Sequence, residues 1–212
     1  MKTFLITRPR HDPGLHILHA WSENVITEAI AHGWNVRKAD DKHANKKEVQ
    51  SRLAKKPDFV MFNGHGSDEL IQGHNNETLV NTSSSNLLRG TIVYARACKC
   101  LNRLGSAAIK NDGRAFIGYK GKLIVWSINE GAAKPLQDPA VEPVLTASNQ
   151  VPISILKGNS VEEALKKSKK VAEKKMLELL QSNEPYSAPA LKGLFSHYFL
   201  IDFEGDSTAR VY

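Results

Sequence analysis

Short apolar runs alternate along the chain with helical or polar stretches. Runs rich in β-branched and aromatic residues predict buried strands. We expect these strands at 3–7, 34–39, 59–62, 91–95 and 115–119. Apolar residues recur at helical spacing over 15–32, and Gly33 follows as a helix-ending glycine. Residues 45–56 predict a short basic helix.

The other segments carry weaker patterns. Ser160 and Glu163 have the spacing of a capping box, which predicts a helix from there to about residue 180. We expect a small hairpin from 69–73 and 78–80, a loop at 81–86, a helix over 101–110, less regular structure up to residue 158 and a closing strand over 194–203.

Alternating strands and helices predict an α/β fold whose mostly parallel sheet is covered on both faces. The length of 212 residues and the lack of a visible linker favour one domain over residues 1–212. Ligands of such folds bind at the carboxyl ends of the strands. His65 follows the run 59–62, and Cys98 follows the run 91–95, so both are expected at that edge of the sheet.

A histidine and a cysteine in one cleft can perform nucleophilic catalysis. A free thiol has a pKa of about 8.5, and an imidazole can take its proton. Gly66 lets its amide come close to a substrate, and the amide of Cys98 lies beside the point of attack, so both suit an oxyanion hole. The alternatives are that Gly64-His65-Gly66 is only a tight turn and that Cys98 is an inert buried cysteine.

These motifs resemble those of the caspase-like cysteine peptidases, the clan of caspases, metacaspases, gingipains and CHAT domains. The resemblance lies in 59–66, 93–98, 104–105 and 113–119, and the helix from Ser160 and the segment 203–206 look like the prokaryotic CHAT-type branch. It implies an α/β/α sandwich, a His65–Cys98 dyad, an oxyanion hole from the amides of Gly66 and Cys98, and no cofactor or metal. It implies a cysteine endopeptidase that works through a thioester acyl-enzyme, or a catalytically inactive domain that serves as a binding or regulatory module.

The resemblance also implies a substrate preference. Arg96 lies two residues before the nucleophile, where caspases and metacaspases line the pocket for the residue preceding the cut. Arg8 and Arg10 follow the first strand, near the place where caspases supply another pocket arginine. A basic pocket accepts Asp or Glu. The alternative is that Arg96 pairs with a structural carboxylate such as Asp68 or Glu69.

Composition and charge limit the location and the classes of ligand that we expect. The chain has 41% hydrophobic and 24% charged residues, no apolar run of membrane-spanning length and no signal peptide, so we expect a cytoplasmic protein. The resemblance to cysteine peptidases implies protein or peptide substrates, and we also expect a regulatory partner protein. The net charge is +7, but much of the excess lies on the polar face of the helix from Ser160, so we do not expect nucleic acid as the main ligand.

Two further residue groups offer alternative chemistry. Cys100 is a second thiol, but the family dipeptide is Ala97-Cys98, so we assign the nucleophile to Cys98. A metal hydrolase would need ligands such as His11, Asp12, His16 and His19, but these match no recognised metal motif. We therefore expect no metal site.

Overall fold

The fold, described in a computed structural model for residues 1–129 and 132–211, contains two β-sheets. The strands are β1 (Thr3–Arg8), β2 (Asn35–Asp40), β3 (Phe59–Asn63), β4 (His65–Gly66), β5 (Leu70–Gln72), β6 (Thr78–Asn81), β7 (Ile92–Arg96), β8 (Ala115–Tyr119) and β9 (Ile201–Gly205). A central six-stranded sheet has the order β2-β1-β3-β7-β8-β9, and only its last pair is antiparallel. The small sheet β4-β5-β6 is antiparallel.

Helices cover both faces of the central sheet. They are α1 (Pro13–Ala31), α2 (Lys46–Leu53), α3 (Ser106–Lys110), α4 (Glu142–Leu156), α5 (Val161–Leu180) and α6 (Ser187–Leu200). The core on one face joins the sheet to α1, α4 and α5, with α6 packed outside against α4 and α5. The core on the other face joins it to α2, α3 and the small sheet. This arrangement confirms the predicted α/β/α fold with a mostly parallel sheet.

Alternating side chains within each central strand feed the two cores. In β3, Phe59 and Met61 enter the core of α1, α4 and α5, while Val60 and Phe62 enter the opposite one. All residues of β3, β7 and β8 are buried. Continuous apolar runs are therefore the expected sequence signature of these strands, since a parallel sheet is covered on both faces.

The helix boundaries follow local capping chemistry. Asp12 is the N-cap of α1, and Gly33 follows the helix with a φ of 74°. The capping box of α5 is present as predicted: Ser160 accepts from the Glu163 amide at 3.2 Å, and the Glu163 carboxylate accepts from the Ser160 amide at 2.8 Å. Such reciprocal bonds satisfy amides that the first helical turn leaves unpaired.

Several predicted elements were wrong. The stretch expected to be irregular contains α4, and most of the expected strand over 194–203 is the end of α6, with β9 beginning only at Ile201. The expected loop at 81–86 is largely a 3₁₀ helix, Thr82–Leu88. The predicted helix over 101–110, in contrast, is confirmed, as a π-helical turn, Leu101–Gly105, followed by α3. In α4 and α6 tertiary packing overrides weak or misleading local signals.

Within the described ranges, no helix combines the length and the apolar character that crossing a membrane requires.

Candidate functional site

The pairing of β3 with β7 sets the relative positions of His65 and Cys98. The two strands are parallel, and Asn63 is the register partner of Arg96. His65 lies two residues beyond Asn63, and Cys98 lies two residues beyond Arg96. Both therefore leave the same edge of the sheet side by side.

His65 and Cys98 line one small cavity at this edge, with a volume of about 120 Å³. The N-terminal part of α1 and the segment after β8 supply its apolar walls. These wall residues are Gly14, Leu15, Leu18, Leu123 and Val125. Cys98 is partly exposed, and the His65 side chain is 48% exposed, so both groups are open to solvent.

The glycines around His65 permit close backbone contacts. A Cβ atom on Gly66 would lie 2.9 Å from the Cys98 carbonyl oxygen and 3.3 Å from the Cys98 nitrogen. A Cβ atom on Gly64 would lie only 2.0 Å from the Gln72 carbonyl oxygen. The Gly66 backbone therefore packs directly against that of Cys98, next to the predicted nucleophile.

Asp12 is a partner of His65 that the sequence did not reveal. Its Oδ1 accepts a hydrogen bond from the Leu15 amide at 2.9 Å as the N-cap of α1. Its Oδ2 accepts from His65 Nε2 at 2.7 Å. Burial opposes the charge, but the hydrogen bonds from Leu15 and His65 prevail and lower the pKa of Asp12. The sequence offered Asp12 only as a candidate metal ligand, and 53 residues separate it from His65.

The contact with Asp12 assigns roles to the two ring nitrogens of His65. Since Asp12 is an ionised acceptor, the His65 Nε2 that faces it carries a hydrogen. In the neutral imidazole Nδ1 then has a free lone pair. That lone pair can take the proton of a thiol in the shared cavity.

The residues of the metal alternative do not assemble as one site. Ligand atoms of His11, Asp12 and His65 lie within 4.8 Å of one another. However, His11 Nδ1 already accepts a hydrogen from the Asn75 amide at 3.2 Å, so Nε2 of the neutral ring carries the proton and has no lone pair for a metal. His16 lines a separate groove, and His19 bonds the carbonyl and guanidinium of Arg8. Burial lowers the pKa of His19.

Arg96 lies in the cavity wall with almost no exposure. Its Nε donates to Asn63 Oδ1 at 2.8 Å and its Nη1 to Asn149 Oδ1 at 2.9 Å, while its Nη2 has no partner. Its contacts are amide oxygens, not the predicted alternative carboxylates. Asp68 accepts from Asn102, and Glu69 pairs with Arg103.

The two other predicted pocket arginines are engaged elsewhere. Arg8 is 5% exposed and pairs with Glu23 at 2.5 Å and with Asp40 at 3.4 Å. Arg10 pairs with Asp41 at 3.1 Å. Neither residue lines the cavity that holds His65 and Cys98. Arg8 is the last residue of β1 and Arg10 follows the strand, and both are paired with nearby carboxylates.

Cys100 has none of the properties of a nucleophile. Its side chain is fully buried, and its thiol donates to the Ala97 carbonyl oxygen at 3.1 Å. Burial raises the pKa of Cys100 to about 12. Its thiolate is therefore scarce at neutral pH, and the accessible thiol at this edge is that of Cys98.

Comparison with known proteins supports the fold. No protein-family model matches the chain, and no curated protein matches it in sequence. Among solved structures, it is similar to the Arg-specific cysteine proteinase gingipain R, with a TM-score of 0.53, 13% identity and coverage of 99% of this chain and 47% of that one. A complex of the pro- and mature domains of RgpB from Porphyromonas gingivalis has a TM-score of 0.54 at 12% identity, over 99% of this chain and 48% of that one.

Another solved structure, described simply as a protease, has a TM-score of 0.57 at 12% identity over 99% of this chain and 48% of its own. The present chain thus spans about half the length of these structures. The likeness shows the fold, which is that of the caspase-like gingipains.

Proposed function

We propose that this chain is a cysteine endopeptidase with Cys98 as nucleophile and His65 as general base and acid. One observation carries the proposal: His65 and Cys98 lie at equal distances beyond paired positions of β3 and β7, and they open into one cavity. The hydrogen bond from His65 to Asp12 adds a defined tautomer. The likeness to gingipains supplies the fold in which this chemistry is placed.

The reaction begins with proton transfer from the Cys98 thiol to Nδ1 of His65. The sulfur then attacks the peptide carbonyl carbon, and the amides of Gly66 and Cys98 donate to the developing oxyanion. Collapse breaks the C–N bond, and the His65 imidazolium protonates the leaving amine. This leaves a thioester, which a water molecule hydrolyses with His65 now acting as base, releasing the carboxylic acid and the free thiol.

We propose an acidic residue before the cut site, because Arg96 is a buried cation in the cavity wall without a carboxylate contact. Burying a charge without a counter-ion is costly, and a substrate carboxylate would supply one. The unpartnered Nη2 offers a free donor for it. This preference would differ from that in the name of the Arg-specific gingipain R.

The assignment within the clan is also part of the proposal. The sequence motifs after Ser160 and at 203–206 favour the CHAT-type branch, and the lack of a visible linker favours residues 1–212 as one catalytic domain. The substrates would then be proteins or peptides, with a regulatory partner protein controlling access to the site.

The test is covalent labelling with a peptidyl acyloxymethyl ketone, followed by a peptide panel with Asp, Glu, Arg or Lys before the cut. We expect labelling of the wild type and the Cys100→Ala control, and none of Cys98→Ala or His65→Ala. A folded wild type whose Cys98 stays unlabelled would indicate an inactive binding module. Cleavage only after Arg or Lys would refute the acidic preference and leave the peptidase assignment intact.

A further inference from the structure

His11 lies beside the His65–Asp12 pair and has no part in the proposed reaction steps. Its side chain is only 14% exposed. Its Nε2 is buried and has no hydrogen-bond partner, and it faces Asp12 Oδ2 at 3.7 Å. A buried polar atom without a partner costs free energy, so its placement next to a carboxylate calls for an explanation.

The tautomer of His11 follows from its other nitrogen. The Asn75 amide donates to His11 Nδ1 at 3.2 Å. A backbone amide can only donate, so Nδ1 must be unprotonated, and the neutral ring carries its hydrogen on Nε2. Asn75 and Asn76 hold this turn with φ angles of 51° and 60°, a conformation that asparagine tolerates better than most residues. The Asn75 contact therefore places the N–H of His11 on the nitrogen that lies 3.7 Å from Asp12 Oδ2.

The Asp12 carboxylate has one face left for such a donor. Oδ1 is taken by the Leu15 amide, and Oδ2 receives His65 Nε2 at 2.7 Å. A carboxylate oxygen has two lone pairs, so His11 can approach Oδ2 beside His65. The rings of His11 and His65 meet edge to face, with centroids 6.3 Å apart and planes at 78°.

The far side of His11 is packed against His74. Their centroids are 5.4 Å apart and their planes are at 79°. His74 Nδ1 faces Asp41 Oδ1 at 3.4 Å, so His74 has its own carboxylate and does not compete for Asp12. His74 thus limits the movement of the His11 ring without touching the charge that His65 uses.

We propose that His11 is a positioning residue. Its Nε2–H, fixed by the Asn75 amide, confines the Asp12 carboxylate. His65 then keeps its own Nε2–H directed at Asp12 and its Nδ1 free for the thiol. The catalytic consequence rests on the proposed peptidase function. The placement of the carboxylate does not, since it concerns only groups of the resting protein.

The test compares three variants of the full chain. His11→Phe keeps a ring and removes the N–H, His11→Gln keeps an N–H donor on a side chain of similar reach, and His74→Phe is the packing control. Carboxyl ¹³C titration reports the pKa of Asp12, and ¹⁵N shifts of the histidines report the tautomer of His65.

A polar N–H group close to a carboxylate favours the ionised form and lowers the carboxyl pKa, so we expect His11→Phe to raise the pKa of Asp12 and to reduce the Nε2–H form of His65. His11→Gln and His74→Phe should keep the wild-type titration. Equal shifts in His11→Phe and His11→Gln would indicate lost packing, and unchanged titration in His11→Phe would indicate no role. Either result overturns the proposal.

Kinetics separate this inference from the proposed function. With an active protein, His11→Phe should lower kcat about fivefold at unchanged KM, with His11→Gln restoring it. A protein that cleaves no peptide but shows the expected Asp12 shift would retain the positioning of the carboxylate and refute the peptidase. An active protein in which His11→Phe alters neither the Asp12 titration nor kcat would refute the positioning role and retain the peptidase.

Discussion

Replacing Asp12 by asparagine separates its two roles. Asparagine is as good an N-cap as aspartate, and its Oδ1 can keep the bond from the Leu15 amide. Its amide nitrogen then occupies the place of Oδ2, where a donor now meets His65 Nε2. Two donors cannot bond each other, so His65 must move its proton to Nδ1, and the nitrogen needed by the thiol loses its lone pair.

The size of the effect follows from the contact. A hydrogen bond to a charged group contributes about 1.5–3 kcal/mol. Because the His65 side chain is 48% exposed, water weakens this one, and we take the lower limit. About 1.4 kcal/mol corresponds to a tenfold loss of kcat/KM. Asp12→Asn keeps the N-cap and loses only the stability that the lowered pKa of Asp12 contributes, whereas Asp12→Ala should lose about 1 kcal/mol more.

The assay measures peptide cleavage and urea unfolding for the wild type, Asp12→Asn and Asp12→Ala. We expect both variants to lose activity about equally, at roughly tenfold, with the larger fall of the urea midpoint in Asp12→Ala. Wild-type activity of a folded Asp12→Asn would refute the role of Asp12 in orienting His65. Equal destabilisation of both variants would refute the capping argument.

The other predictions concern pH, the glycine contact and the second thiol. The lowered pKa of Asp12 contributes stability above the ordinary carboxyl pKa, and this stability is lost as pH falls through the lowered value. Asp12→Asn should therefore make the free energy of unfolding less dependent on pH in the acid range. A variant whose curve is only displaced, with the same pH dependence, would contradict this. Gly66→Ala should lower kcat by about 10²-fold, because the new Cβ would meet Cys98. Gly33→Ala is the control: its φ of 74° strains an alanine, but nothing lies near the Cβ, so this variant should lose only stability. Equal activities of the two variants would refute the oxyanion role. Mass spectrometry after iodoacetamide at pH 8 should find one adduct, on Cys98, because Cys100 is buried and its pKa is about 12; a second adduct on folded protein would contradict its inertness.

The strands that deliver the site could be predicted because their sequences are locally unambiguous. β3 and β7 are continuous apolar runs, and each is followed by a residue type with chemistry of its own. Parallel strands end at one edge, so the proximity of His65 and Cys98 followed from topology alone.

The helices α4 and α6 could not be predicted in the same way. α4 contains Pro143 and Pro152, which normally indicate the start or interruption of a helix, and its interior includes buried polar residues. The end of α6 is a run of aromatic residues that also suits a strand. In both, packing between α4, α5 and α6 decides the structure.

The contacts of single side chains escaped prediction because they join distant segments. Nothing near Asp12 in the chain indicates that its free oxygen meets His65, or that the Asn75 amide fixes the ring of His11. The surroundings of Arg96 are similar: Asn149 reaches it from α4, an element that the sequence pattern did not show.

The shared register of β3 and β7 has a consequence for recognising remote relatives. His65 and Cys98 are placed by their offset from Asn63 and Arg96, not by the length of chain between them. Insertions or deletions in the intervening segment would leave the pair in place, while a one-residue slip in either strand would separate it. A search for related sequences should therefore fix the two strand-relative offsets and let the histidine-to-cysteine spacing vary.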